Sequence, residues 1–244
     1  MEFTPLPRVT PPPDETGTAR RPLRTVRSFV PRAGRMTRAQ HRAWQDLWPR
    51  LGLEPAGSML DLDAVFGRCA RRTVEIGFGN GEALVALAAA QPAEDFLGIE
   101  VHRPGVGHLM LRCEELAIGN LRIVSQDAVD VLEQRLPPAC LDEVLLYFPD
   151  PWPKKRHHKR RIVQEGFVAL VASRLRSGGV FRLATDWQPY AEWMLETLRR
   201  CPLLRNESPD GTWSPRPSSR PPTRFELRGQ RLGHDVWDLS FRKS

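Results

Sequence analysis

No apolar stretch of the 244-residue chain approaches the roughly 18 residues that a membrane span requires. That excludes a transmembrane helix and leaves no reason to expect a membrane partner. The first thirty residues hold no apolar core segment of the kind a secretory signal needs. Cysteine is scarce. Cys69, Cys113, Cys140 and Cys201 are widely scattered and form no CxxC pair, which argues against a disulfide framework and against a zinc site. His157 and His158 are adjacent but have no carboxylate or thiol at ligand spacing, so no metal is expected. These absences describe a reduced, cytoplasmic chain. No internal repeat is present.

What the chain does have is positive charge. The formal net charge is +7, which fits a polyanionic partner. Arginine greatly outnumbers lysine, so part of the surplus reflects codon usage, and its position matters more than its size. The densest block is Lys154, Lys155, Arg156, Lys159, Arg160 and Arg161, interrupted only by the two histidines.

Residues 1–27 are rich in proline and arginine, poor in large apolar residues and without periodicity, and read as a disordered tail. Residues 28–244 read as a single domain that includes an N-terminal helical segment. There Thr37 is placed to cap a helix carrying Ala39, Ala43, Trp44, Leu47 and Trp48 at three-to-four spacing, with Arg38 and Arg42 on the other face. From Arg72 onward short apolar runs alternate with helical patterns: TVEIGFG, GEALVALAAAQP, DFLGIEV, PGVGHLMLRCEELAIGN, LRIVSQ, LDEVLLYF, IVQEGFVALVASRLRSGG, VFRLATD, WQPYAEWMLETLRR, and finally DVWDLSFRK. The Gly178-Gly179 pair reads as a helix stop, and residues 205–222 as loop. The alternation is that of an α/β chain with a mostly parallel sheet covered by helices on both faces.

In such sheets ligands sit beyond the carboxyl ends of the strands. The first strand runs into Glu75-Ile-Gly77-Phe-Gly79-Asn-Gly81. A dinucleotide fingerprint would need its third glycine at Glu82, so that fit fails, and a pyrophosphate would meet acid at Glu75 and Glu82. The pattern better suits a cationic ligand such as the sulfonium of S-adenosyl-L-methionine. Glu100 ends the second strand at about the 20-residue spacing of a ribose-binding acid. Asp127 follows the third and can accept from an adenine amino group. The fourth strand ends in Phe148-Pro149-Asp150-Pro151-Trp152-Pro153-Lys154. This is neither the N-P-P-Y nor the D-P-P-Y of adenine N6 methylases. Cys140 lies at the wrong end of that strand to be the thiol of a cytosine C5 methylase. Trp152 can either stack on a nucleobase or buttress its own loop.

Over residues 27 to 243 the chain resembles the bacterial tRNA (guanine-N7-)-methyltransferases. The matching stretches are RSFVPRAGR, EIGFGNG, FLGIEVHRPGVG, NLRIVSQDA, FPDPWPKKRHHKRRIV, ATDWQPYAEWML and SRPPTRFELRGQRLGHDVWDL. FPDPW followed by this basic run is highly distinctive. The resemblance implies a Rossmann-like class I S-adenosylmethionine-dependent methyltransferase with a mostly parallel, seven-stranded sheet. It implies methylation of guanine N7 at position 46 of the tRNA variable loop, with S-adenosyl-L-homocysteine as product, by a monomer or weak homodimer. Glu75, Gly77, Gly79, Gly81, Glu100 and Asp127 would hold the cofactor. Asp150 would stand at its junction with the substrate as the catalytic residue. Lys154, Asp186, Thr223, Arg224, Phe225 and Glu226 would bind substrate, and Arg156, His157, His158, Lys159, Arg160 and Arg161 would contact RNA. Arg224 replaces the family's usual lysine, and the two differ in geometry. A non-catalytic tRNA-binding module, or a methyltransferase acting on another RNA, is the alternative. Loss of the acids or glycines would favour the first of these, and all are present.

Overall fold

The computed structural model of the chain describes residues 27–29, 34–54, 57–221, 226 and 235–244. All but Arg27 of the expected tail lies outside the described residues, as do the expected substrate contacts Thr223, Arg224 and Phe225.

Thr37 caps helix α1 (Arg38–Asp46) through a full capping box: its side chain accepts from the Gln40 amide while Gln40 reaches back to the Thr37 amide. A short α2 (Trp48–Leu51) leads into a two-residue strand β1 (Gly52–Leu53), and α3 covers Leu62–Phe66. Then come β2 (Arg72–Ile76), α4 (Glu82–Ala90), β3 (Asp95–Ile99), α5 (Arg103–Glu115), β4 (Leu121–Val124), α6 (Ala128–Gln134) and β5 (Leu141–Tyr147). A 3-10 turn (Lys155–Arg160) precedes α7 (Glu165–Arg174), β6 (Leu175–Thr185), α8 (Gln188–Arg199), β7 (Leu204–Asn206) and β8 (Trp237–Lys243).

The strands form one sheet in the order β1-β4-β3-β2-β5-β6-β8-β7. The pairs from β1 to β6 are parallel, while β8 is antiparallel to both β6 and β7. Strand alternation divides the core in two. Val74, Ile76, Val144, Leu146, Phe181 and Leu183 face α3, α6, α7 and α8. Phe96, Leu121, Ile123 and Leu145 face α1, α2, α4 and α5. Helices therefore cover both faces, as the alternating pattern implies.

The structure departs from the sequence reading in several places: the N-terminal helix is split into α1 and α2, and α3 was not read. Eight strands stand where seven were expected, because the two-residue β1 adds an edge to β4. The short α6 fills the β4–β5 crossover, where no helix was read. Strand β7 begins at Leu204 and takes two residues of the stretch read as loop. Finally, α7 stops at Arg174 and Gly178-Gly179 lies inside β6, where the register to β5 jumps from Leu141↔Leu175 to Glu143↔Val180. A Cβ at Gly179 would lie 2.9 Å from the Arg176 carbonyl and 3.1 Å from that of Leu141. The pair thus serves an irregular strand that passes close to its neighbour.

Chain order and strand order fix where a ligand can sit. From β2 the chain adds β3 and β4 on one side, then crosses over to add β5 and β6 on the other. The order reverses between β2 and β5, and a crevice opens at their carboxyl ends. No helix among the described residues is long and apolar enough to cross a membrane.

Candidate active site

The glycine loop joins β2 to α4. Gly77 and Gly79 have φ of 72° and 60°, and nothing lies within 4 Å of where their Cβ atoms would be. The backbone needs glycine for its conformation and leaves its outer side open to a ligand. Gly81, with φ of 78°, shares that need and adds a second, since a Cβ there would meet the Leu109 side chain at 2.5 Å.

Glu100, just past β3, braces this loop. Its carboxylate accepts from the amides of Gly79 (2.9 Å), Val101 (2.7 Å) and His102 (2.9 Å). Asp127 caps α6 by accepting from the Val129 amide at 3.0 Å. Glu75 is not beyond its strand, as the sequence implied, but inside it. It pairs in register with Gly98 on one side and Leu145 on the other, on the face that carries α4 and α5. It is buried, and its Oε2 has no hydrogen-bond partner among the described residues. Burial, reinforced by the charge of Glu100, pushes its carboxyl up to about 8. Gln126, at the β4 tip, also buries a side-chain oxygen without a described partner, and sequence reasoning passed over it. An open glycine cradle, a buried carboxylate awaiting a cation and a further orphaned acceptor fit the amino-acid and adenosyl parts of S-adenosylmethionine.

Across the switch point, the β5 tip is strained. Phe148 and Trp152, neither of them glycine, have φ of 51° and 46°, a conformation costing about 1–3 kcal/mol each. Both are held. The Phe148 amide donates to the Ala184 carbonyl at 2.7 Å. The Trp152 indole donates to the Ser28 carbonyl at 3.2 Å, with the Arg160 guanidinium 4.9 Å over its ring and the His157 ring edge-on at 5.8 Å. Trp152 thus buttresses its loop. Asp150, between the two strained residues, is exposed.

The basic run forms the 3-10 turn with no buried residue, and Lys154, Lys155, Arg156 and Lys159 are exposed. His157 sits among them, and partial desolvation followed by the charges of Arg156, Arg160, Lys154 and Lys159 lowers its pKa. His158 lies half-buried beside Trp193. Arg161 differs from its neighbours in the run. It is buried, with its guanidinium 4.8 Å over the Tyr190 ring and 5.3 Å over that of Trp193, and its Nε donates to the Pro151 carbonyl at 3.0 Å. It faces the loop interior and pins the peptide between Pro151 and Trp152.

Asp186 follows β6 directly and is half-buried. Glu226 is buried. It accepts from Arg216 Nε at 2.9 Å and from both terminal nitrogens of Arg220, at 2.8 and 3.1 Å. Burial alone would raise its pKa, but these two arginines outweigh it and hold the carboxyl below its ordinary value. Arg220 was not singled out in the sequence, since an arginine in a Pro/Ser-rich loop carries no periodic signal. Among the described residues no cluster of three or more His, Cys, Asp or Glu could hold a metal ion.

Comparison with known proteins identifies the family. Residues 70–239 match a family model described as "Putative methyltransferase". The chain is 55% identical over 223 residues to the tRNA (guanine-N(7)-)-methyltransferase of Methylococcus capsulatus, covering 91% of this chain and 96% of that one. It is 54% identical to that of Pseudomonas aeruginosa, covering 91% of both chains, and 53% identical to that of Sodalis glossinidius, covering 97% and 98%. Among solved structures it resembles the 16S rRNA methyltransferase KamB (TM-score 0.52, 14% identity, covering 77% of this chain and 95% of that one). It also resembles the aminoglycoside resistance methyltransferase NpmB1 (TM-score 0.51, 15% identity, the same coverage), and at such identities the likeness speaks for the fold. With a class I methyltransferase sheet, its glycine cradle and acids at the strand tips, and more than half its residues shared over nine-tenths of its length, the chain belongs to the bacterial tRNA (guanine-N7-)-methyltransferase family.

Proposed function

We propose that this protein methylates N7 of a guanine in tRNA, at position 46 of the variable loop, using S-adenosyl-L-methionine. The observation that carries the reading is topological: the glycine cradle with Glu75, Glu100 and Asp127 and the strained turn bearing Asp150 lie at the carboxyl ends of the strands flanking the switch point, and an exposed basic turn begins five residues after Asp150. When bound, S-adenosylmethionine supplies an electrophilic methyl group on its sulfonium. Glu75 offers a buried carboxyl that the cationic end of that ligand would draw into its ionised form, Glu100 holds the glycine loop open, and Asp127 and Gln126 offer acceptors to its adenosyl part.

Guanine N7 has a lone pair and no proton, so no general base is required. The task left to the protein is positioning, where effective molarity supplies most of the acceleration. Asp150 orients the base by accepting from its N1–H and amino group, a pattern that adenine cannot satisfy. Its carboxylate, with that of Asp186, also favours the positive charge that develops on the purine. Lys154, Lys155, Arg156 and Lys159 neutralise the flanking phosphates.

The test is transfer of labelled methyl into bulk tRNA, followed by nucleoside analysis. Label confined to 7-methylguanosine is the expected result. Label in another nucleoside, or tRNA binding without any transfer, refutes the proposal in favour of another RNA modification or of a binding module.

A further inference from the structure

Arg220 has no part in the scheme above, yet among the described residues it is the largest side chain that is fully buried. Its guanidinium has no exposed surface. Two nitrogens grip both oxygens of Glu226, and one of them also donates to Asp238 Oδ2 at 3.0 Å. The plane lies 5.6 Å from the Tyr147 ring and 5.7 Å from the Phe148 ring. Asp238 is paired in register with Ala184 on β6, and the Phe148 amide donates to that same Ala184. One cation therefore touches the end of β5 two residues before Asp150, the strand opposite the end of β6 two residues before Asp186, and Glu226.

Stability alone is a poor reason for this arrangement. A buried ion cluster is often no better than apolar residues of the same volume. Here the Arg220 Nε is also buried without a partner among the described residues, which costs stability. What the cluster does provide is registry between three separate chain segments at the substrate side of the crevice.

We propose that Arg220 is a positioning residue for methyl transfer: by clamping Glu226 and Asp238 against the Tyr147–Phe148 tip, it sets the substrate edge of the crevice relative to Asp150. The proposal rests on the methyltransferase reading above. Arg220→Lys keeps the charge but cannot grip Glu226 and Asp238 together. The expected result is a kcat reduced by about 10- to 100-fold, with the KM for tRNA and the affinity for S-adenosylhomocysteine unchanged. Hydrogen exchange at the Phe148 amide should become faster without a matching loss of global stability. Wild-type kcat in this variant overturns the proposal. So does a fall in kcat, tRNA binding and product binding together in proportion to lost folded protein. Should Arg220→Lys fail to fold, Asp238→Asn, which leaves the Arg220–Glu226 grip in place, is judged by the same readouts: a selective kcat loss supports the clamp and an unchanged kcat overturns it. If the wild-type enzyme methylates no tRNA, the functional reading fails, and Phe148 exchange alone decides the clamp, faster exchange supporting it and unchanged exchange overturning it.

Discussion

Replacing Glu75 by Gln tests the heart of the cofactor half. In the folded protein this carboxyl titrates near 8 rather than at its ordinary 4.5, because burial and then the charge of Glu100 disfavour ionisation. At about 1.4 kcal/mol per pH unit, ionised Glu75 costs the fold roughly 5 kcal/mol. Below pH 4.5 both the folded and the unfolded chain hold the proton, and the stability is fully present. Between 4.5 and about 8 the unfolded chain releases it while the folded one keeps it, so stability falls as pH rises. Above about 8 both forms are ionised and the loss is complete. Glu75→Gln has no such titration. Its buried amide adds a cost of about 1–3 kcal/mol, the same at every pH. Urea unfolding of both proteins from pH 5 to 9, in the absence of cofactor, should show the wild type losing several kcal/mol relative to the variant. Groups not coupled to Glu75 cancel in that difference. A difference that stays flat over this range refutes the assignment of Glu75 as a buried carboxyl held ready for a cation.

Asp150→Asn should lower kcat by about 100-fold if the carboxylate both orients guanine and stabilises developing charge; near-normal turnover with unchanged guanine affinity refutes that role. Charge reversal at the exposed pair, Arg156→Glu with Lys159→Glu, should weaken tRNA binding and flatten its salt dependence by about one unit of slope for each phosphate left without its cation, while the affinity for S-adenosylhomocysteine stays unchanged. Arg161→Lys should do the opposite, lowering kcat while the salt dependence of tRNA binding stays that of the wild type; a flattened slope would mean that Arg161 does reach RNA. Gly105→Ala places a Cβ 2.1 Å from the Gly79 carbonyl, so it should cost about 1–3 kcal/mol of stability and weaken product binding in calorimetry, although residue 105 is outside the glycine loop; undiminished binding would show that the loop is not held by this close approach.

The strands and long helices were legible because each carries a periodic signal: β2, β3, β4 and β5 are short apolar runs, and α1 opens on a capping box. Strand β1 is too short to have a period. The α6 helix is only seven residues long and is marked chiefly by the Asp127 cap, which had been read for its chemistry. The diglycine misled because glycine after a helix and glycine in a bulged strand look alike without the neighbouring strand. At the site, the acids announced themselves by their place after strands. Whether a cation faces out or in is decided by tertiary partners, so Arg161 looked like its neighbours until Tyr190 and Trp193 were found to enclose it. Arg220 and Gln126 were invisible for the same reason, since burial of a polar group leaves no trace in local composition.

The placement of β8 between β6 and β7 bears on how the molecule assembles. Strands β3 to β6 each add to the edge of the sheet grown from β2, while the two-residue β1 waits for β4. Strand β7 waits too: its only partner in the sheet among the described residues is β8, which is made after it. The cofactor half, from β2 to β4, can therefore nucleate from sequence-near contacts, while the half that carries Asp186 and Asp238 must await a distant segment and its larger loop-closure entropy. Refolding followed at both halves should find protection of the β2–β4 amides preceding that of β6–β8.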